Sequence, residues 1–438
     1  MYRVGLYTLG CKVSQYETEA ISEAFSARGC EIAAFSEKND IYVINTCTVT
    51  AESDRKSRQF IRRAIKENPD AVIAVVGCYS QRSPDEIMNI EGVDIVIGTD
   101  QKLAVVDKAI EMADAYRKGM RPEPFKLVTN VFLADFEPMT VMRAPRTRAY
   151  VKIEDGCECR CTYCAISAAR GPVRSKDPKE VISEVEGLYK NGTLEIVLTG
   201  IETGSYGADF DTKYNLADLI CQLDERHSCE RIRLGSMAPE LLTADFIDRI
   251  ADTKIMVPHF HISMQSGSDS VLRGMKRRYN RDMALKNIAH IRERMPEVML
   301  TADLMVGFPG ESEEDFLDTL RFVNEAGLLD AHVFAYSRRE GTPAAGYDNQ
   351  IPEEIKKERS ARLMDEVKRV RDKNLDSVIE AARPLPVILE TRKGRVYHGH
   401  SDSYIEVVCE GENDLCGQLV MVAPTSHSNG TICGKIIT

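Results

Sequence analysis

Cys157, Cys161 and Cys164 stand in the run Gly156-Cys157-Glu158-Cys159-Arg160-Cys161-Thr162-Tyr163-Cys164, a C-x3-C-x2-C spacing. Three thiolates this close can ligate three irons of a four-iron cubane and leave the fourth iron open. An open iron can bind and reductively cleave S-adenosylmethionine, which gives access to radical chemistry. Zinc is the competing reading, because Cys159 adds a fourth thiol and C-x2-C pairs are common in zinc sites. A closed zinc site, however, draws on two such pairs about a dozen residues apart. No second C-x2-C pair exists in the chain, and one short loop can hardly set four thiolates tetrahedrally.

A second set of thiols shares one context. Cys11 follows the strand-like Arg3–Leu9, Cys47 follows Ile41–Asn45, and Cys78 follows Val72–Val76. In an open α/β sheet such strand ends face one crevice, so residues distant in sequence converge there. A lone cysteine is more often a small core residue. Three at equivalent strand ends point to a second three-cysteine cluster with an open iron. Gly10 and Gly77 beside them let the backbone approach something bulky. The other cysteines, Cys30, Cys221, Cys229, Cys409, Cys416 and Cys433, have no such context.

The elements that must position these groups fall into three regions. Residues 1–115 alternate strand and helix patterns, with amphipathic stretches at Gln15–Arg28, Ser53–Lys66 and Ser83–Ile90, and read as an open α/β sheet. Residues 116–147 have little periodicity and read as a linker. From 148 to 382 a second series carries strand candidates Tyr150–Glu154, Glu195–Thr199, Arg231–Leu234, Phe260–Met264, Thr301–Val306 and His332–Tyr336, then a charged helix over 352–382. Six βα units predict a partial parallel (β/α)6 barrel. From 383 to 438 short β-like runs with turn signals predict a small all-β barrel.

In a barrel of this kind the active site lies at the C-terminal ends of the strands. That makes Thr199, Gly200, Glu202, Ser236, Glu240, Gln265, Arg278 and Asp303 candidates to hold the cofactor, with Glu202 for an amino group and Arg278 for a carboxylate. Tyr163 is a candidate to pack on its adenine.

The chain has 438 residues, 13 cysteines, no Trp and a formal net charge of −11. An odd number of thiols argues for a reducing compartment rather than a disulfide framework. No apolar run is long enough for a membrane span, and the start lacks a secretory pattern, so the expected location is the cytoplasm. A nucleic-acid partner must meet local basic patches on an acidic body. Helical spacing puts Arg55, Arg58, Arg62 and Lys66 on one face of Ser53–Lys66. Further basic stretches are Arg143, Arg146, Arg148 and Lys152, and Lys276, Arg277, Arg278 and Arg281. From Arg383 onward five basic residues stand against six acidic ones, so charge alone does not mark the small barrel as RNA-binding.

Taken together these residues resemble the radical S-adenosylmethionine methylthiotransferase family over nearly the whole chain. The small barrel then corresponds to the family's TRAM domain. Thr8-Leu9-Gly10-Cys11-Lys12-Val13-Ser14-Gln15, Asn45-Thr46-Cys47-Thr48-Val49-Thr50 and Asp54-Arg55-Lys56-Ser57-Arg58 are similar to its tRNA threonylcarbamoyladenosine branch. So are Leu198-Thr199-Gly200-Ile201, Gln265-Ser266-Gly267-Ser268, Val306-Gly307-Phe308-Pro309-Gly310-Glu311 and Gly341-Thr342-Pro343-Ala344-Ala345. The chain departs from that branch at Ser14, where Asn is usual, at Cys159 inside the x3 gap, and at Ser167-Ala168.

The resemblance implies two [4Fe-4S] clusters and S-adenosylmethionine. A radical-generating cluster would sit on Cys157, Cys161 and Cys164. An auxiliary, sulfur-carrying cluster would sit on Cys11, Cys47 and Cys78. The implied substrate is N6-threonylcarbamoyladenosine in a tRNA anticodon stem-loop, converted to its 2-methylthio derivative, with a reducing system as electron donor. Isopentenyladenosine in tRNA, an aspartate of a ribosomal protein, and a metal-stabilised RNA-binding protein without catalysis are the alternatives. Arg392, Lys393 and Arg395 form the RNA-contact hairpin that the TRAM resemblance implies.

Overall fold

A computed structural model describes residues 1–144 and 147–437. The chain forms two compact units. One comprises residues 1–141, 152–176 and 337–345, the other residues 142–151, 177–336 and 346–438.

The first unit is built on a six-stranded parallel sheet. Its strands are β1 (Arg3–Thr8), β2 (Glu31–Ala33), β3 (Ile41–Thr46), β4 (Val72–Gly77), β5 (Ile95–Ile97) and β6 (Phe125–Leu127), in spatial order β2-β1-β3-β4-β5-β6. β3 and β4 are buried along their whole length, as strands covered on both faces should be. Val43, Val72, Ala74 and Val76 pack on one side with Ile21 and Phe25 of helix α1 (Lys12–Ala27) and with helix Ala104–Arg117. Tyr42, Ile44, Ile73 and Val75 pack on the other with Ile61 and Ala64 of α2 (Ala51–Glu67). Thr50 caps α2 by accepting from the Ser53 amide. β6 falls inside the stretch expected to be a linker. A three-residue edge strand is too short to show a periodic pattern, and Val131, Met139 and Val141 after it are buried as well.

The second unit holds the expected partial barrel. β7 (Arg148–Lys152), β10 (Glu195–Thr199) and β11 (Arg231–Leu234) form one sheet. β12 (Ser236–Met237), β13 (His259–Gln265), β14 (Met299–Val306) and β15 (Asp330–Ala335) form another, all parallel. The intervening numbers, β8 (Glu154–Asp155) and β9 (Arg174–Ser175), are a short antiparallel pair in the first unit. After a 29-residue helix, Glu353–Ala381, the chain closes a five-stranded barrel of β16 (Leu385–Lys393), β17 (Val396–Ser401), β18 (Glu406–Glu410), β19 (Leu419–Ser428) and β20 (Thr431–Ile437). Glu311, from the Val306–Glu311 motif, fixes the long helix. Its carboxylate accepts from the Gly307 amide at 2.7 Å and from Arg359 at 2.6 Å. No helix among the described residues is long and apolar enough to cross a membrane.

Candidate active site

In the parallel sheet of the first unit the chain leaves β1 toward β2 on one side and then returns to β3 on the other. A crevice opens at such a reversal, outside the C-terminal strand ends. Cys11 follows β1 as the N-cap of α1, Cys47 follows β3, and Cys78 follows β4 as the first residue of α3 (Cys78–Arg82). The turns are tight. Gly10 has φ +127°, and a Cβ there would lie 3.2 Å from that of Cys47. Gly77 has φ +102°, and a Cβ there would lie 2.5 Å from Asn45 Oδ1. Burial, and then the nearby Cys78 thiol, push the Cys47 thiol up to about 12. Three thiolates gathered here repel one another unless a cation lies between them, and soft thiolates select iron–sulfur or similar metal centres. The donor set therefore fits a cluster.

Cys157, Cys161 and Cys164 lie in the loop between β8 and the short helix Ile166–Arg170. The Cys157 amide donates to Gly171 O at 3.0 Å and the Cys164 amide to Cys161 O at 3.1 Å. Two further amides point at sulfur, Cys159 N at Cys157 Sγ (3.5 Å) and Ile166 N at Cys164 Sγ (3.4 Å). Amide donors to sulfur suit a thiolate ligand. Cys159 and Tyr163 are both partly exposed.

Two features of this unit have structural roles that the sequence did not indicate. The first is a buried ion network. Arg170 is fully buried, and its Nη1 donates to Glu17 Oε1 at 2.8 Å and to both Asp155 oxygens at 3.0 Å. Lys102 and Lys152 reach the same Glu17 oxygen at 2.9 and 3.1 Å. Burial pushes the Glu17 carboxyl up, but the three cations together hold it well below the usual carboxylate range. The Nε–H of Arg170 donates to Cys78 Sγ at 3.3 Å. The network thus runs from one cysteine loop to a thiol of the other set.

The second feature is segment 337–345, which contains the Gly341–Ala345 motif. Arg339 donates to Thr48 Oγ1 (2.7 Å) and Asp54 (2.6 Å), beside Cys47. Arg82, at the end of α3, donates to Glu340 O at 2.6 Å. The Ala344 amide donates to Thr162 O at 2.9 Å, inside the C-x3-C-x2-C loop. One segment therefore braces three of the four cysteine-bearing loops.

In the second unit most expected cofactor residues sit at the strand ends. Thr199 ends β10, Gly200 follows it, Ser236 is in β12 and Gln265 ends β13. Buried Glu202 accepts from the Ala238 amide at 3.1 Å. Glu240 lies in the turn Pro239–Leu241, and Arg278 is exposed in the loop after helix Asp269–Gly274. Asp303 departs from this expectation. It sits in the middle of β14 and not at its end, and its Oδ1 takes His261 Nε2 at 3.1 Å and His332 Nδ1 at 3.2 Å.

The basic stretches also sort differently. Arg58 is spent on Tyr79 OH (2.7 Å) and Glu86 (2.9 Å), and Arg55 on Glu52, whereas Arg62 and Lys66 are exposed. Lys152 is buried in the ion network, and Arg148 pairs with Glu195 and Glu390. Arg146 lies outside the described residues. Arg277 is held by Tyr279 OH and Ser263 O, and Arg281 by Glu325. In the hairpin, Arg392 donates to Gly394 O and Glu412 O, Arg395 pairs with Glu412, and Lys393 is exposed. Self-pairing explains most of these shifts: a cation counted as available in sequence is neutralised when the fold brings a carboxylate to it.

Known proteins agree with this architecture. Residues 151–323 match the Radical SAM superfamily, and residues 3–98 match "Uncharacterized protein family UPF0004". The chain is 42% identical over 428 residues to the threonylcarbamoyladenosine tRNA methylthiotransferase MtaB of Bacillus subtilis, covering 96% of this chain and 93% of that protein. It is 32% identical to a tRNA-2-methylthio-N(6)-dimethylallyladenosine synthase of Alkaliphilus oremlandii, covering 98% and 92%. Among solved structures, the radical S-adenosylmethionine methyltransferase TsrM of Kitasatospora setae, with cobalamin and a [4Fe-4S] cluster bound, aligns with TM-score 0.56 and 17% identity. That alignment covers 78% of this chain and 77% of that one, a likeness of fold alone.

Proposed function

Because the chain belongs to the radical S-adenosylmethionine methylthiotransferase family, whose cofactors are [4Fe-4S] clusters and S-adenosylmethionine, we propose that it acts on N6-threonylcarbamoyladenosine beside the anticodon of tRNA and makes the 2-methylthio derivative. The observation that carries the chemistry is the gathering of two cysteine triplets in one compact unit, cross-braced by Arg170 and by segment 337–345. The nucleoside is supported by the B. subtilis relative named for it.

When bound, the clusters and cofactor supply one-electron chemistry able to break an unactivated C–H bond, and a sulfur to put in its place. The chain's own residues bind and orient. Cys157, Cys161 and Cys164 would hold one cluster, with the amides of Cys159 and Ile166 donating to sulfur. Cys11, Cys47 and Cys78 would hold the other in the crevice beyond β1, β3 and β4. Glu202, Gln265 and their neighbours at the strand ends would seat the cofactor.

The test is genetic and chemical. Deleting the gene should remove 2-methylthio-threonylcarbamoyladenosine from bulk tRNA, measured by mass spectrometry, and the intact gene should restore it. Persistence of that nucleoside with loss of the dimethylallyl derivative refutes the substrate reading. In reconstituted protein, Cys47→Ala should abolish sulfur transfer while leaving 5′-deoxyadenosine formation measurable. Loss of both in a still-folded variant refutes the division between the triplets.

A further inference from the structure

The inner face of the partial barrel carries an unusual row of polar side chains. Along β13 and β14, Phe260, Ile262, Leu300, Ala302 and Leu304 are buried on one side. The alternate positions His259, His261, Thr301 and Asp303 face the other way, and His332 of β15 pairs in register with Asp303. Barrel lumens are ordinarily filled by branched apolar residues. Here His261 Nδ1 is 2.8 Å from Thr301 Oγ1 and its Nε2 is 3.1 Å from Asp303 Oδ1. His332 Nδ1 approaches the same oxygen at 3.2 Å, and its side chain is 76% exposed. Burial works to raise the Asp303 carboxyl, but the hydrogen bonds from the two imidazoles hold it well below its ordinary value.

The row continues toward the small barrel within the same unit. His259 is 3.0 Å from Thr301 Oγ1 and stacks on Tyr404 at 4.7 Å. Tyr404 in turn stacks on His400 at 5.1 Å, and His400 lines a cavity of about 430 Å³ with Glu390, Arg392, Lys393 and His398. The hairpin expected to touch RNA and the lumen histidines are thus joined by one line of stacked rings.

We propose that His261, Asp303 and His332 form the subsite that reads the polar substituent on N6 of the substrate adenosine. This rests on the substrate reading above. His332 and the second oxygen of Asp303 touch the substituent; His261, bonded to the first Asp303 oxygen, is a positioning residue. A threonylcarbamoyl group offers a carboxylate, a hydroxyl and a carbamoyl N–H. These match an imidazole N–H and the second oxygen of Asp303. A dimethylallyl group offers only hydrocarbon, and seating it here would desolvate the Asp303 carboxylate and the His332 imidazole without replacing their hydrogen bonds to water. Sites built to hydrogen-bond a ligand reject the analogue that lacks those groups far more strongly than apolar pockets reject a polar one.

The experiment uses the cluster-reconstituted full chain, unreduced, with fluorescent anticodon stem-loops carrying threonylcarbamoyladenosine, dimethylallyladenosine or adenosine, read by anisotropy. The intact protein should prefer the threonylcarbamoyl loop. His332→Ala and Asp303→Asn should cut that preference by about tenfold or more, and His332→Gln, which keeps a hydrogen-bonding head, should recover part of it. Variants that keep the full preference overturn the proposal. So does a preference abolished by EDTA and restored by Mn²⁺, since that would make the two histidines and Asp303 ligands of a cation. Should the intact protein prefer the dimethylallyl loop, the substrate reading itself falls, which the same titration separates from failure of the subsite.

Discussion

Glu17→Gln tests the buried network directly. Glu17 accepts from Arg170, Lys102 and Lys152, and all four side chains are at most 1% exposed. The substitution keeps shape and one acceptor oxygen but leaves Arg170 and Lys152 with Asp155 as their remaining ion-pair partner, and Lys102 with none among the described residues. Removing one partner of a buried ion pair costs about 3–5 kcal/mol because the remaining charge is uncompensated, and three dependent cations put this case at the upper end. That is a large part of the roughly 5–15 kcal/mol that separates folded from unfolded chains. The assay is urea unfolding of the iron-free chain by circular dichroism, with the exposed Glu67→Gln as a control expected within about 0.5 kcal/mol of the parent.

The cycle with Lys102→Met sharpens the test. Among the described residues Glu17 is the only carboxylate in an ion pair with Lys102. The double variant should therefore be less destabilised than the sum of the singles, by about 0.5–3 kcal/mol. The pH dependence has a definite sign. A carboxyl held below its unfolded value contributes stability that is present above that value and is lost as pH falls through the folded one. The gap between parent and Glu17→Gln should be constant from about pH 6 to 8 and shrink below about pH 4.3. A cost under about 1 kcal/mol, or strict additivity in the cycle, refutes the reasoning.

Two other outcomes follow from the same geometry. Hydrogen bonds to cluster sulfurs raise reduction potential, so Arg170→Met should lower the midpoint of the auxiliary cluster relative to the parent, and Arg170→Lys should lower it less. The measurement is an electron-paramagnetic-resonance redox titration in a chain whose Cys157, Cys161 and Cys164 are alanine. Lys393 is exposed and, among the described residues, in no ion pair, so Lys393→Ala should reduce the salt slope of tRNA binding by about one. Arg395→Ala, already paired with Glu412, should change it less.

Much of the architecture was legible because it follows from local pattern. The runs Ile41–Asn45 and Val72–Val76 are apolar on both faces, which only a covered parallel strand tolerates, and they begin and end within a residue of β3 and β4. Cys11, Cys47 and Cys78 could be grouped because a parallel sheet sends all its strand ends to one side. β2 and β6 were missed because three residues at a sheet edge make no periodic signal.

The site's supporting charges were hidden for a different reason. Lys102, Lys152, Asp155, Arg170 and Arg339 have the composition of surface residues, and sequence alone assigns a charge to solvent because burying it unpaired is so unfavourable. What overturns that default for Lys102, Lys152, Arg170 and Arg339 is a carboxylate, Glu17 or Asp54, lying 85 to 285 positions away in the chain, beyond any local window of sequence. The same blindness made Lys152 and Arg148 look like RNA contacts. Conversely, the sequence pattern points Asp303 to the rim, because polarity on a barrel strand ordinarily marks the catalytic end. Its partners His261 and His332 lie on the neighbouring strands β13 and β15. A polar residue that deep in a strand is tolerable only when such partners surround it. The depth of Asp303 therefore fits the recognition surface proposed for the lumen, separate from the strand ends proposed to seat the cofactor.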